Sequence, residues 1–347
     1  MIFMKRTDFS APVCLSHNEY RISQSPCAEK VQGVYFVMET KRMIIFQNVS
    51  KFILTDVSFC VPKGRIVGVI GASGAGKTTL LKLVCGLLEA AEGEVYCLGR
   101  NPVASGKLVR RRMASLFADI PVFQQDNTIN TSFEELRLIY GMGREEYAER
   151  YGLLGEKLGF RPYENTAVRN LSLGERRRAE LGTLFLRAAD LLVLDEPGIG
   201  LDRNAKAALG ELLRERKEAG ATILISSHDM EEISGLCERI LLLDEGRLIF
   251  YGEKDMLLKK YAPMDVCELE FDPKGRIPGF EDLPLYRYEL EKNHLTVSYN
   301  ANLISAAEIL SHAAAQTEVL SVKIRKGSLL DTVKNVAASG AEQLRES

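Results

Sequence analysis

RIVGVIGASGAGKT, Arg65 to Thr78, sets an unbroken apolar run directly before a glycine-rich loop that ends in lysine and threonine. Apolar residues at consecutive positions mark a strand buried on both faces, as in the middle of a parallel sheet. Gly71, Gly76, Lys77 and Thr78 fit the spacing GxxxxGK[ST] of a phosphate-binding loop between a strand and a helix. Glycines let backbone N–H groups curl around phosphate oxygens, and the helix N-terminus behind them adds positive potential. Gly71, Ala72, Ser73, Gly74, Ala75, Gly76, Lys77, Thr78 and Thr79 are therefore the candidate phosphate contacts. In this reading Lys77 reaches the β and γ phosphates, the Thr78 hydroxyl ligates Mg2+, and Thr79 donates to a phosphate.

Outward from this loop the pattern alternates. MIIFQNVS, TDVSFCV and EGEVYCLG read as strands around it, and KTTLLKLVCGLLE as a helix with Leu80, Leu81, Val84, Leu87 and Leu88 on one face. LLVLD, ATILISS and RILLLD are further strands, separated by the helical stretch RNAKAALGELLRERKEAG, which predicts an α/β domain with a largely parallel sheet. Between them, residues 106–188 are helical and charged, a helix-rich insertion. The domain spans 43–260. Residues 1–42 lack periodicity and read as a loosely ordered extension. Residues 261–347 alternate strands (VCELEFD, YRYELEK, LTVSYN, EVLSVKIRK) with helices around ISAAEILSHAAA and SLLDTVKNVAA, a small α+β domain.

Composition narrows the class. A net charge of −2 gives no general basic surface for nucleic acid, and the runs Arg110–Arg112 and Arg176–Arg178 read as solvated helix faces. The seven cysteines are scattered and never in CxxC spacing, which suits reduced thiols rather than disulfides or a zinc site. No stretch approaches the length of a membrane span, so the expectation is a cytoplasmic chain.

Two motifs can do chemistry beside a bound polyphosphate. LLVLDEP delivers Asp195 and Glu196 at the C-terminal end of a strand, the sheet edge where ligands bind in open α/β folds. Asp195 would hold the Mg2+ shell, while Glu196 would orient and deprotonate an attacking water. His228, in ISSHD at the end of the next strand, can hydrogen-bond the γ phosphate and sense its loss. The third motif is LSLGE, Leu171 to Glu175: Ser172 and Gly174 before a helix make a second N-terminal anion site, without a lysine. A single NTPase site does not need two.

The order of phosphate loop, LSLGE, LLVLDEP, Gly200-Leu201-Asp202 and His228 resembles that of ATP-binding cassette (ABC) proteins, and residues 43–260 resemble the nucleotide-binding subunit of an ABC transporter. The resemblance implies a P-loop NTPase fold with a mixed sheet and a helical subdomain, using ATP and Mg2+. It also implies a head-to-tail dimer with a second ABC ATPase subunit, identical or not. There Ser172, Leu173, Gly174 and Glu175 would face the partner's ATP, with Asp202 of the D-loop near the interface. Phe52 takes the place of the aromatic that stacks on adenine. The lid glutamine maps to Gln124 or Gln125 by identity and to Asp119 by counting from MASLFAD. Where the signature usually ends in Gln, Glu175 would put a carboxylate near that ATP. The C-terminal residues are similar to an extension of exporter-like ABC ATPases whose membrane permease is a separate polypeptide.

The expectation is an ATPase coupling dimer closure to substrate movement, held at the inner face of the membrane by a polytopic permease, with no nucleic acid bound. The alternative is a soluble ABC ATPase acting on nucleic acid or ribosomes, and a third reading is a silent regulatory subunit. The two-cassette chains and long coiled coils of the soluble members are not found here.

Overall fold

Ile66–Ile70 (β3) is buried at every position, because strands lie on both sides of it and packed layers on both faces. The computed structural model describes residues 42–260, 265–273, 278–280, 282–300 and 303–325. Its first strands, Arg42–Lys51 (β1), Leu54–Pro62 (β2) and, beyond the phosphate loop, Glu92–Cys97 (β4), form an antiparallel sheet in the order β2-β1-β4. The main sheet joins Met113–Leu116 (β5), Leu191–Asp195 (β6), Thr222–Ser226 (β7), Arg239–Asp244 (β8) and Arg247–Glu253 (β9) to β3, in the order β5-β6-β7-β3-β8-β9. All neighbours are parallel except β8 and β9, a hairpin.

Period-two alternation divides each central strand between two cores. Ile66 and Ile70, Leu192 and Leu194, and Ile223 and Ile225 face a core shared with helices Ile129–Tyr140 (α3), Arg144–Lys157 (α4), Leu173–Phe185 (α5) and Arg203–Glu218 (α6). Val67 and Val69, Leu191 and Val193, and Leu224 face the antiparallel sheet and helix Lys77–Val84 (α1). Short helices Gly106–Arg110 (α2), Met230–Leu236 (α7) and Lys254–Lys260 (α8) are the remaining α-helices among the described residues before 261.

Helix α1 is shorter than the leucine pattern predicts. It stops where Gly86, just past the C-cap Cys85, takes the left-handed φ of +65°, so Leu87 leaves the helical face and is exposed. The stretch 106–188 is also not helical throughout, since β5 pairs with β6 in the main sheet.

Beyond residue 264 stands an antiparallel sheet ordered β11-β12-β10-β13, built from Asp265–Phe271 (β10), Leu285–Glu291 (β11), His294–Tyr299 (β12) and Val319–Arg325 (β13). Helix Ala306–Ala314 (α9), closed at its start by a Ser305–Glu308 capping box, contributes Ile309 and Ala313 to a separate core with Leu269, Val297 and Tyr299. The extension before residue 42 and the helix expected at SLLDTVKNVAA lie outside the described residues. Cys60, Cys85, Cys97, Cys237 and Cys267 are buried and in no disulfide.

Candidate nucleotide site

The loop between β3 and α1 takes its shape from three glycines, Gly71, Gly74 and Gly76, at φ +152°, +82° and +100°. Two are also required by close approach: a Cβ on Gly71 would lie 2.2 Å from the Leu243 carbonyl, and one on Gly76 2.5 Å from Leu54 Cδ2. Lys77 is buried, and its Nζ donates to the carbonyls of Gly71 (2.9 Å) and Ala72 (3.0 Å). Burial lowers its pKa, opposed by the charges of Glu196 and Asp195.

The contact between Gly76 and Leu54 seats the β1–β2 turn on the phosphate loop, which places Phe52 beside it. Phe52 stands at φ +53° with its ring 76% exposed, the Lys51 ammonium 5.1 Å from the ring centroid. From the other side Gly246, in the β8–β9 turn, accepts from Thr55 N at 3.0 Å.

Strands β6 and β7 pair with Asp195 opposite Ser226, and this register builds the acidic end of the site. Asp195 is buried and accepts twice, from Thr78 Oγ1 on Oδ2 (2.7 Å) and from Ser226 Oγ on Oδ1 (2.6 Å). The same Ser226 hydroxyl accepts from Glu196 N at 3.0 Å, fixing the start of the next turn. Glu196 sits at φ +48°, a left-handed conformation that costs a non-glycine residue about 1–2 kcal/mol. Its Oε2 accepts from His228 N at 3.1 Å, while Oε1 is buried without a hydrogen bond, 3.0 Å from His228 Nε2 but out of alignment with it. The His228 side chain is largely exposed. The arrangement presents a lysine, a hydroxyl, two carboxylates and an imidazole on one sheet edge.

Ser172 caps α5. It accepts from Glu175 N at 3.3 Å, and the Glu175 carboxylate reaches back to accept from Ser172 N at 2.8 Å, a capping box. That backbone bond is the main reason the Glu175 carboxyl is held below its ordinary pKa. In the single subunit the Glu175 carboxylate is turned onto its own helix start. Leu173 is exposed beside it. Gly174 packs against the segment after β6, where a Cβ would lie 2.8 Å from the Gly200 carbonyl. Asp202 caps α6 through Ala205 N (2.9 Å) and accepts from Arg178 at 2.6 Å.

Of the three lid candidates, Asp119 and Gln125 both line a cleft of about 150 Å3 with Phe123, Leu173, Arg177 and Ile199, and Asp119 is also ion-paired to Lys82 of α1. Gln124 is exposed and is not among the lining residues.

The arginine run 176–178 calls for a correction. Arg177 is only 5% exposed; its guanidinium donates to the carbonyls of Asp195 (3.3 Å) and Glu196 (3.0 Å) and pairs with buried Glu180. A charge run read as a solvated face thus contains the brace of the acidic strand end, with Arg178 holding Asp202. In the other run, Arg110 to Arg112 are exposed as expected. Sequence reasoning also passed over Ser226, although its place one strand over from Asp195 was readable in ISSHD.

A family model described as ABC transporter matches residues 54–198. ABC transporter ATP-binding protein NatA of Bacillus subtilis is 30% identical over 223 residues, 64% of this chain and 91% of that protein. Nod factor export ATP-binding protein I of Burkholderia lata is 34% identical, over 65% of this chain and 76% of that protein. A solved structure of an ATP-binding subunit of an ABC transporter superposes with a TM-score of 0.59 at 27% identity, covering 63% of this chain and 93% of that one. With the phosphate loop, the acidic strand end and LSLGE placed as described, the chain belongs to the ABC transporter ATP-binding proteins and is an ATPase.

Proposed function

We propose that this chain hydrolyses ATP at the edge formed by Lys77, Thr78, Asp195, Glu196 and His228, and that paired subunits couple the cycle to export through a separate polytopic permease. The observation that carries the catalytic reading is Glu196: its carboxylate follows, at the end of β6, the Asp195 that accepts from Thr78, and stands 3.0 Å from His228 Nε2, where a group that deprotonates a water beside the γ phosphate belongs. Glu196 is the general base, and His228 Nε2 is the γ-phosphate contact. The phosphate loop from Gly71 to Gly76 supplies N–H donors, Lys77 its charge, Thr79 a further donor, and Phe52 an adenine platform.

Thr78 and Asp195 would hold Mg2+. The donor set fits that ion: a hydroxyl and one carboxylate already share a point, and among the described residues no group of three His, Cys, Asp or Glu side chains could hold a metal. Mg2+ takes few protein ligands and completes its shell with phosphate and water. When bound it neutralises charge on the β and γ oxygens.

Ser172, Leu173, Gly174 and Glu175 form the surface offered to a second subunit's ATP, with Asp202 beside them. The exposed Leu173 and the capped helix start support this. Export is supported by the name of the Nod factor export relative. Among the described residues no helix is long and apolar enough to cross a membrane. Of the lid candidates, Gln125 is the permease-facing residue; the pairing of Asp119 with Lys82 supports this choice.

The test combines Glu196→Gln with recovery from native membranes. The variant should keep ATP binding and stall hydrolysis in a closed dimer, and Lys77→Ala should lose ATP binding. Hydrolysis by Glu196→Gln at the parental rate would refute the base. A polytopic membrane protein recovered with the chain supports coupling; recovery with RNA or DNA alone overturns it.

A further inference from the structure

Glu232 is a third carboxylate near the site, and the roles given to Asp195 and Glu196 leave it unused. It lies in the first turn of α7, where its N–H donates to Asp229 Oδ1 at 3.2 Å. Its Oε2 accepts from Ser227 Oγ at 2.8 Å, and that hydroxyl accepts from Asp229 N at 3.0 Å. Its Oε1 is buried with no hydrogen-bond partner. Burial raises its pKa, with Ser227 and the Lys206 charge opposing and the Asp229 and Glu196 charges adding to the rise.

What the carboxyl presses on is the backbone after Glu196. A Cβ built on Gly198 would lie 3.2 Å from Glu232 Oε2, 3.4 Å from Oε1 and 3.5 Å from Lys206 Cε. Lys206 pairs with Asp229 Oδ2 at 2.9 Å, so Gly198 runs between a carboxyl from α7 and a lysine stem from α6. Glu196 stands two residues before Gly198 and His228 one after Ser227. One side chain therefore touches both turns that carry the water-activating pair.

We propose that Glu232 is a positioning residue of the ATPase, setting the spacing between the Glu196–Gly198 turn and the Ser227–His228 loop through its wedge against Gly198 and its bond to Ser227. This rests on the reading of Glu196 and His228 given above. Reacting groups displaced by about 1 Å can lose on the order of 100-fold in rate, and Glu232 touches none of the phosphate-loop residues. The expected signature is a split: turnover falls and ATP affinity stays.

The experiment measures ATP affinity by titration calorimetry and turnover at saturating ATP for the full chain and for Glu232→Ala, Glu232→Gln, Gly198→Ala and Glu232→Ala/Gly198→Ala, with Glu196→Gln as control. Glu232→Ala should lose roughly 10- to 100-fold in kcat at unchanged ATP affinity, and Glu232→Gln, of equal size, should recover most of it. Gly198→Ala should slow the parent by crowding the carboxyl and have no further effect once Glu232 is alanine. Parental kcat in Glu232→Ala, or additive effects of the two substitutions, would overturn the proposal. So would a parallel loss of affinity and melting temperature. These failures are distinct from that of the base assignment, which shows only in Glu196→Gln.

Discussion

Replacing Arg177 by methionine should be among the most damaging single changes in this chain, although the residue lies in what looks like a surface charge run. The substitution removes the donor to the Asp195 and Glu196 carbonyls and leaves Glu180 facing a buried gap. The Arg177 and Glu180 side chains are 6% and 10% exposed, so solvent screens the pair little. Breaking one side of a buried ion pair costs about 3–5 kcal/mol. Arg176 Nε, 3.5 Å from Glu180 Oε1, retains part of the compensation, which brings the expected loss to about 3 kcal/mol. With m near 3 kcal/mol/M, the urea midpoint should fall by about 1 M. The chain has no tryptophan, so far-ultraviolet circular dichroism is the probe. Arg177→Met/Glu180→Leu should regain most of the stability, since no charge is then left buried, yet stay slow in ATP turnover because the strand-end carbonyls have lost their donor. A loss under about 1 kcal/mol in the single variant, or a double variant no more stable than the single, would refute the reasoning.

Two further outcomes can be checked simply. Gly246→Ala puts a Cβ 1.8 Å from the Ile53 carbonyl at φ +78°, so the β1–β2 turn must move; ATP affinity should fall several-fold by titration calorimetry, although residue 246 itself touches no nucleotide. Glu175, held below its ordinary value of 4.5 chiefly by the Ser172 backbone bond, contributes stability that is present above pH 4.5 and lost as pH falls through its folded value. Midpoints of chemical unfolding taken downward from pH 5 should therefore drop more steeply in the parent than in Glu175→Gln, and equal slopes would count against the capping box.

How far the sequence reached depended on whether a residue's neighbours are local in the chain. The phosphate loop was legible because strand, glycines, lysine and helix are contiguous, and the unbroken apolar runs within Leu191–Asp195 and Thr222–Ser226 declared buried strands. Asp195 and Glu196 followed from their place at a strand end. Arg177 was missed since burial of a cation depends on partners 18 and 19 residues away, which no helical period reveals. The end of helix α1 at Gly86 was, by contrast, readable locally, since a glycine in the left-handed region is a common residue just past a helix end. Glu175 was read for its charge, whereas the spacing from Ser172 to Glu175 already spelled a capping box.

The close approach of Gly174 to the Gly200 carbonyl has a mechanical consequence. With Arg178 also tied to Asp202, the first turn of α5 is pinned to the segment after β6 at two points on adjacent turns. Any tilt of that helix, from whatever touches it, must drag residues 200–202 with it. Because Arg177 of the same helix grips the carbonyls of Asp195 and Glu196, the movement reaches the acidic strand end without a relay of intervening side chains. The helix behaves as a lever whose short arm ends at the backbone of Asp195 and Glu196.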